Sequence, residues 1–306
     1  MFNFPAAGTG RLWRRAGLLA AALAALIAGY FPAAVRAAEA GTDQSVIVSQ
    51  KEFASDKPED IVGANVNFVN ALLAENLRPA EISHDALLSY YVDFYLAEVE
   101  NGGFSQFVFN SGWAPDRVGL VREGLAALKA EQHLKLFNES AAIIDHLGPD
   151  KLKAFLDSKY FGSNEERDAL DEHNTRFYEL SKTEDLLALN AAWLRGRPGL
   201  RVMTVPEMKA EVERRAAALP DREERKRAAL AAEPRYMKLV RALAIKAGQD
   251  FSFATAGDPS QDYNGKKVLA WHFMTDKGHF YMIEAGGKAI MFDAGANKPV
   301  AEIDAP

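Results

Sequence analysis

The stretch SHDALLSYYVDFYLAEVENGGFSQFVFNSG, residues 83–112, predicts how the middle of this chain folds. Ser83 suits an N-cap, so a helix is predicted to begin there. Apolar residues then recur at helical spacing from Leu87 to Val99. The glycines of Asn101-Gly102-Gly103 tolerate a left-handed backbone, so the helix is predicted to end at this segment. Residues 104–109 are predicted to form a short aromatic helix or turn.

The helical spacing continues on both sides of this stretch. Further helices are predicted over Asp60–Leu77, from Pro115 onward, and over Glu131–Leu147, Asp150–Lys159, Asn164–Leu180 and Glu184–Leu194. The connections between them are short, which is typical of a helical bundle. We therefore predict an all-α helical domain over residues 64–200.

After Pro234 the pattern changes from helical to alternating. One helix ending at Gly248 is followed by predicted strands at Phe251–Ala254, Val268–Thr275, His279–Ala285, Ala289–Asp293 and Val300–Ile303. Turn-forming residues separate them: a loop at Gly257-Asp258-Pro259 and Asn264-Gly265, and hairpin turns at 276–278 and 286–287. Residues 234–306 are therefore predicted to form a small antiparallel β-meander module with one helix, which makes the chain α+β.

Composition narrows the classes of function. The chain has 306 residues, 48% of them hydrophobic and 25% charged, which indicates two compact domains and excludes wholesale disorder. It has no cysteine, which excludes disulfides, thiolate metal sites and cysteine nucleophiles. The sequence contains no G-x-S-x-G elbow and no phosphate-binding glycine loop, so serine hydrolases and nucleotide enzymes are poorly supported.

Residues 1–38 have the pattern of a secretory signal peptide. Three arginines precede twenty uncharged residues, 16–35, and small residues suited to signal peptidase follow near Ala37–Ala40. The alternative is an inner-membrane anchor formed by residues 16–35, because twenty apolar residues can span a bilayer. We predict cleavage, a periplasmic or secreted product, and a flexible tether over residues 39–63. Cleavage removes four arginines and no acid, which changes the net charge from −6 to −10.

Charge is distributed unevenly along the chain. Residues 80–180 contain 18 acidic and 9 basic residues, whereas residues 195–246 contain 14 basic and 7 acidic ones. The acidic excess is consistent with solvated helices or with a surface for a basic partner. Residues 201–233 are predicted to form a charged helical linker split at Pro220. Its interleaved acids and its lack of aromatic residues favour a solvated connection over lipid or nucleic-acid binding.

One set of segments resembles a known family. Tyr90-Tyr91-Val92-Asp93, the segment 101–107 and Asn110-Ser111-Gly112 resemble the signature of a family first catalogued as a domain of unknown function and later as the C-terminal domain of a DNA-mimic protein. Phe177-Tyr178 and the Arg-Gly-Arg-Pro at 195–198 are similar to its closing part. The resemblance covers roughly residues 80–200. The family motif comprises Tyr91, Asp93, Asn101, Gly102, Gly103, Phe104, Gln106, Asn110, Ser111 and Gly112.

The resemblance implies an α-helical domain without catalytic activity. In the family's namesake it also implies an acidic surface that imitates the phosphates of duplex DNA and competes for a basic protein's DNA site. The candidate carboxylates for such a face are Asp93, Glu98, Glu100, Glu165, Glu166, Asp168, Asp171 and Glu172.

The motif residues have two interpretations. In the structural one, Asn101 and Asn110 cap helix ends, Gln106 satisfies buried backbone groups, and Phe104, Phe107, Phe109 and Trp113 fill the bundle. In the other, Asn101, Gln106 and Asn110 line a polar pocket with aromatic walls. The structural interpretation is preferred.

The C-terminal module contains the remaining candidates for chemistry. His272 and His279 are predicted near opposite ends of one hairpin, with Asp276 and Glu284 nearby. Neither H-x-H nor H-E-x-x-H spacing occurs, so these histidines are predicted to be surface or half-buried strand residues rather than metal ligands.

The sequence therefore predicts an exported, non-enzymatic protein that binds another protein, through the acidic helical face or the exposed edge of the C-terminal sheet. No cofactor, metal, direct nucleic-acid contact or membrane contact after cleavage is expected. One alternative is a periplasmic enzyme or small-ligand binder that uses the motif pocket or the strand histidines. Another is a true DNA mimic that binds a basic DNA-binding protein, if the chain is not exported.

Overall fold

The computed structural model describes residues 45–157 and 165–305, which divide into two compact units, 45–226 and 227–305. The predicted signal peptide lies outside the described residues. Within them, no helix is both long enough and apolar enough to cross a membrane.

The first unit is a helical bundle. Its helices are α1 (Gln50–Phe53), α2 (Pro58–Ala74), α3 (His84–Ser111), α4 (Pro115–Ala127), α5 (Glu131–Asp145), α6 (Gly148–Asp157), α7 (Glu165–Ala169), α8 (Asp171–Leu180), α9 (Leu186–Arg195) and α10 (Val205–Ala217). A further helix, α11 (Arg222–Ala232), spans the division between the units. The single helix predicted over 164–180 is wrong, because Leu170 interrupts it between α7 and α8.

Several helix boundaries lie where the sequence places them. The side chain of Ser83 accepts a hydrogen bond from the N–H of Ala86, and Pro115 occupies the first turn of α4. Gly112 ends α3 in a left-handed conformation with φ 63°. These caps satisfy backbone groups that the ends of helices leave free.

An aromatic cluster fills the core of the bundle. Tyr95 lies edge-on to Phe107, Phe137 and Phe177, with ring centroids 5.3, 5.1 and 5.7 Å away, and Phe104 lies 6.2 Å away. All five side chains are at most 2% exposed. Such edge-to-face pairs stabilise a core beyond the area that they bury. The prediction that Phe104, Phe107 and Trp113 fill the bundle is confirmed, whereas Phe109 is only partly buried.

The tether predicted over residues 39–63 is wrong from residue 46 onward. Val46, Ile47 and Val48 are at most 1% exposed. Strand β1 (Ile47–Ser49) pairs in parallel with β2 (Arg201–Met203), and α2 begins at Pro58. Three consecutive apolar residues within a polar segment were sufficient to form a buried strand, because a distant segment supplies its partner.

The linker predicted over residues 201–233 is also wrong for its first half. Besides β2, it contains α10, which packs against α2 and buries Met208, Val212 and Ala216. Glu211 and Arg215 are also buried, and they are paired 2.9 Å apart. No residue of α11 is buried, but Arg222 and Arg225 form ion pairs with Glu75 and Glu81.

The second unit confirms the predicted α+β class. Helix α12 (Arg235–Lys246) is followed by β3 (Phe251–Tyr263), β4 (Lys266–Thr275), β5 (Gly278–Ala285), β6 (Lys288–Asp293) and β7 (Lys298–Asp304). These strands form one antiparallel sheet in sequence order. Val240 and Leu243 of α12 pack on Phe273 and Phe280 of the sheet.

Strand β3 differs from its prediction. The loop predicted at Gly257-Asp258-Pro259 is wrong, because β3 continues through it, with a register shift between Asp258 and Gln261 that includes Pro259. Bulges and an edge position allow a strand to contain proline, which has no N–H to donate to a neighbour. The turn at Asn264-Gly265 is confirmed, with φ 51° and 75° at its two residues.

Candidate functional site

The family motif surrounds a sharp break in α3. At Gly102 φ is −154°, and at Gly103 φ is 80° and ψ 179°, which separates a first half of the helix from a second half that begins at Phe104. A Cβ atom on Gly103 would lie 2.4 Å from the Asn174 Nδ2 atom. Both the backbone conformation and the available space therefore require glycine at this position. The predicted glycine turn is confirmed.

A buried carboxylate joins the two halves of α3. Glu98 is 2% exposed, and its Oε2 atom accepts hydrogen bonds from Gln106 Nε2 and Asn110 Nδ2, both at 2.7 Å. Asn101 Nδ2 donates to Gln106 Oε1 at 3.2 Å. We call Glu98, Asn101, Gln106 and Asn110 the Glu98 network. The prediction that Asn101 and Asn110 cap helix ends is wrong, since both side-chain amides bond side chains within this network.

The surroundings of Glu98 raise the pKa of its carboxyl group. Burial raises the pKa of the Glu98 carboxyl, the amide donors of Gln106 and Asn110 lower it, and the net pKa is above its usual range. The amides are therefore committed to an internal carboxyl group. This arrangement favours the structural interpretation of the motif over a pocket that would use the same amides for a ligand.

Helix α8 lies against the break in α3 and bonds its free backbone groups. The N–H of Phe104 donates to Asn174 Oδ1 at 2.8 Å. The Tyr178 hydroxyl shares its one hydrogen between the carbonyl oxygens of Val99 and Glu100, at 3.2 and 3.1 Å. A break in a helix leaves such groups without intrahelical partners. Sequence reasoning missed the role of Asn174; its only signal was an asparagine inside a helix, where that residue is unfavourable.

The turn after the second half of α3 is held by Ser111. Its hydroxyl oxygen accepts a hydrogen bond from the N–H of Trp113 at 3.1 Å, and its carbonyl accepts one from Arg117 Nη1 at 2.9 Å. Trp113 Nε1 in turn donates to Asp145 Oδ1 at 3.0 Å. Half-buried Tyr91 packs edge-on against Phe94. These motif residues therefore serve the packing of the bundle.

The predicted acidic face divides into buried and exposed residues. Asp93 and Glu98 are 7% and 2% exposed, so their assignment to a face is wrong. Both fall on the inner side of α3, which the helical period turns toward the core. The side chain of Glu166 lies outside the described residues. Five exposed carboxylates remain, which we call the acidic rim: Glu100, Glu165, Asp168, Asp171 and Glu172.

The acidic rim lies on three segments that contact one another in series. Glu100 stands at the end of the first half of α3, where its carbonyl binds Tyr178. Asp171 begins α8 and accepts a hydrogen bond from Asn174 Nδ2 at 3.4 Å. Helix α7, which carries Glu165 and Asp168, contacts α8. Tertiary contacts thus connect all three segments.

The two strand histidines lie closer together than predicted. His272 pairs with Tyr281 across β4 and β5, which makes His279 its diagonal neighbour. His272 Nδ1 lies 3.1 Å from His279 Nε2, so the prediction that they lie at opposite ends of the hairpin is wrong. Glu284 is paired with Arg235, and Asp276 accepts from the N–H of Asp250. Across the described residues, no group of three or more His, Asp or Glu side chains is placed to hold a metal ion.

Comparison with protein-family models gives a match within the helical unit. Residues 80–197 match the model of a family described as DMP19-like protein, which confirms the resemblance to the DNA-mimic family. The match includes the whole of the motif, the Glu98 network and the acidic rim. Comparisons with curated proteins and with solved structures gave no match.

Proposed function

We propose that this chain is an exported, non-catalytic protein whose DNA-mimic-type domain, residues 80–197, binds a partner protein with a basic surface through the acidic rim. The match to the DMP19-like family supports a domain of the DNA-mimic type. The partner, the export and the absence of catalysis belong to the proposal.

The observation that carries the proposal is the attachment of α8 to the break in α3. Asn174 and Tyr178 bond backbone groups on both sides of the break. Exposed carboxylates on α8 and at the end of the first half of α3 therefore lie on segments that are hydrogen-bonded to each other. Carboxylates in a fixed arrangement attract a basic surface and give specificity, with an attraction that salt weakens.

The absence of catalysis is supported by the use of the motif's polar groups. Gln106 and Asn110 direct their amides at the buried carboxyl of Glu98. The neighbouring aromatic rings pack against one another in the core. Groups with internal partners are poorly placed to bind or polarise a substrate.

Charge reversal tests the acidic rim. The variant Glu165→Lys/Asp168→Lys/Glu172→Lys changes three exposed rim residues. The matched control, Glu213→Lys/Glu223→Lys/Glu224→Lys, changes three exposed acids outside the family domain by the same total charge. Both would be used with the wild type to capture partners from fractionated native cells at low and high salt. We expect a complex that salt weakens, that the rim variant loses and that the control keeps. Equal capture by all three proteins at either salt concentration would contradict the proposal.

Export is tested separately. Fractionation of native cells with intact-mass analysis is expected to give a periplasmic or secreted species that begins near residue 38–41. A full-length cytoplasmic species would contradict export. It would favour the alternative in which the partner is a basic DNA-binding protein, and duplex DNA would then compete for the complex.

A further inference from the structure

We propose that His272 and His279 form a two-histidine chelate for a divalent transition metal of the copper, nickel and zinc class. The pair lies on the sheet of the second unit and is independent of the acidic rim. Failure of one proposal therefore leaves the other standing.

The distance between the two nitrogen atoms carries the inference. Imidazole nitrogens bind these metals at about 2.0–2.1 Å. Two nitrogens 3.1 Å apart, as His272 Nδ1 and His279 Nε2 are, would then make an angle of about 98° at a shared ion. That angle corresponds to adjacent positions of a square-planar or octahedral complex, the geometries of Cu²⁺ and Ni²⁺. Tetrahedral Zn²⁺ requires the nitrogens to separate slightly, so we expect Cu²⁺ to bind most tightly.

The pairing of β4 with β5 places the two histidines next to each other. β4 and β5 are adjacent antiparallel strands, and their register places His279 diagonally across from His272. The ring of Tyr281 lies 5.4 Å from that of His272, and Tyr281 itself stacks on Phe292 at 5.1 Å. His279 is exposed, so an ion can reach the pair and complete its coordination with water.

The electrostatic surroundings also suit a cation. The negative charge of Asp258 is close enough to act on His272. Asp258 lies on β3, paired with Ala270, and thus on the face of the sheet that carries His272. Its negative charge favours a bound dication.

Titration of the untagged full chain with Cu²⁺, and separately with Zn²⁺, tests the inference. We would follow binding by calorimetry, and Cu²⁺ ligation by electron paramagnetic resonance. We expect one ion per chain at this site and nitrogen hyperfine coupling from two imidazoles. His279→Ala changes an exposed residue and should weaken binding about tenfold or more, as should His272→Ala. His146→Ala, which removes an exposed histidine of the first unit, should leave the affinity unchanged.

Two outcomes would overturn the inference. One is no binding of either ion to the wild type. The other is equal affinity in the wild type and His279→Ala, with circular dichroism showing that the variant is folded. Either result would leave the two rings as a hydrogen-bonded pair without a metal role. His272 is less exposed than His279, so His272→Ala is expected to destabilise the fold more. Its result is therefore interpreted only together with that of His279→Ala.

Discussion

The backbone N–H of Phe104 donates to the side-chain oxygen of Asn174 at 2.8 Å, across 70 positions of sequence. The bond closes the break in α3 from outside the helix. It joins the start of one half-helix to the segment that carries Asp171 and Glu172. Stability of the break and arrangement of the acidic rim therefore depend on the same contact.

Replacement of Asn174 tests this contact. Asn174→Ala removes the acceptor of the Phe104 N–H and leaves that partly buried donor without it. We expect a loss of about 1–2 kcal/mol in the free energy of unfolding, measured by urea denaturation. Thr175→Ala, at the next and exposed position of α8, is the control and should cost less than about 0.5 kcal/mol. Equal losses in the two variants would show that the contact contributes nothing specific.

Replacement of Gly103 tests the break itself. Gly103→Ala places a Cβ atom in collision with the Asn174 side chain, at a positive φ of 80°. We expect a loss of about 3 kcal/mol or failure to fold. Gly63→Ala is the matched control, because Gly63 lies inside α2 and a Cβ atom added there would have no neighbouring atom within 4 Å. It should stabilise the protein by about 0.5–1 kcal/mol in the same thermal or urea measurement. A neutral Gly103→Ala would contradict the geometry of the break.

Truncation of Glu98 tests the bridge between the halves of α3. Glu98→Ala leaves the amides of Gln106 and Asn110 without their acceptor in a buried site. We expect it to cost about 2–3 kcal/mol in urea denaturation. Glu98→Gln keeps an acceptor oxygen and should cost clearly less. If the two variants are equally stable, the network does not depend on the acceptor.

The pH dependence of stability tests the charge state of Glu98. Its pKa is higher in the folded protein than in an unfolded chain, so the folded state binds more protons between those two values. The contribution of Glu98 to the free energy of unfolding therefore falls as the pH rises from about 4.3, the pKa in the unfolded chain, through the raised pKa in the folded protein. Glu98→Gln should remove that fall in denaturation curves measured upward from about pH 4. Glu100→Gln, an exposed neighbour, should retain it.

Arg225 provides a test of the start of α11. Its guanidinium lies 2.6 Å from Glu81 and donates to the carbonyl of Asn76 at 3.0 Å. Arg225→Ala should cost about 2 kcal/mol at neutral pH, because it removes the guanidinium that pairs with both Glu81 and Asp221. Arg227→Ala, two positions on and exposed, should be close to neutral.

The same pair predicts a dependence on acid. Burial raises the pKa of Glu81, hydrogen bonds and charge from Arg225 and from Arg78 lower it, and the net pKa is below its usual value. The stability that the pair contributes is present above the unfolded pKa and is lost as pH falls through the lowered folded one. The difference between wild type and Arg225→Ala should therefore shrink below about pH 4. If the difference in stability between wild type and Arg225→Ala stays constant below about pH 4, the effect of Arg225 is due to packing alone.

Local sequence was sufficient to predict most element boundaries. Ser83 caps the start of α3 and Gly112 caps its end, each through hydrogen bonds to residues only a few positions away. Asn264-Gly265 forms a turn because both residues adopt a positive φ readily. Alternating residues also predicted the antiparallel order of β3 to β7, because hairpins join neighbours in sequence. The α+β class followed from these local signals.

Residues whose partners are distant could not be placed in this way. Val46-Ile47-Val48 resembled part of a tether, because nothing local reveals that residues 201–203 supply the other strand. Asp93 and Glu98 were placed on a surface because they are acidic. Only the packing of the bundle shows that Glu98 is buried and that it accepts hydrogen bonds from Gln106 and Asn110, on the other side of the break in α3.

The sequence alone determined the caps of α3 at Ser83 and Gly112, the hairpin turns, the class of fold and the family motif, since each depends on interactions within a few residues of chain. The tertiary structure decided that Glu98 is a buried bridge, that Asn174 closes the break at Gly103, and that His272 faces His279. These relationships depend on the register between strands and on the packing of helices. Both are set by the total burial of apolar surface in the folded chain and not by any local stretch of residues.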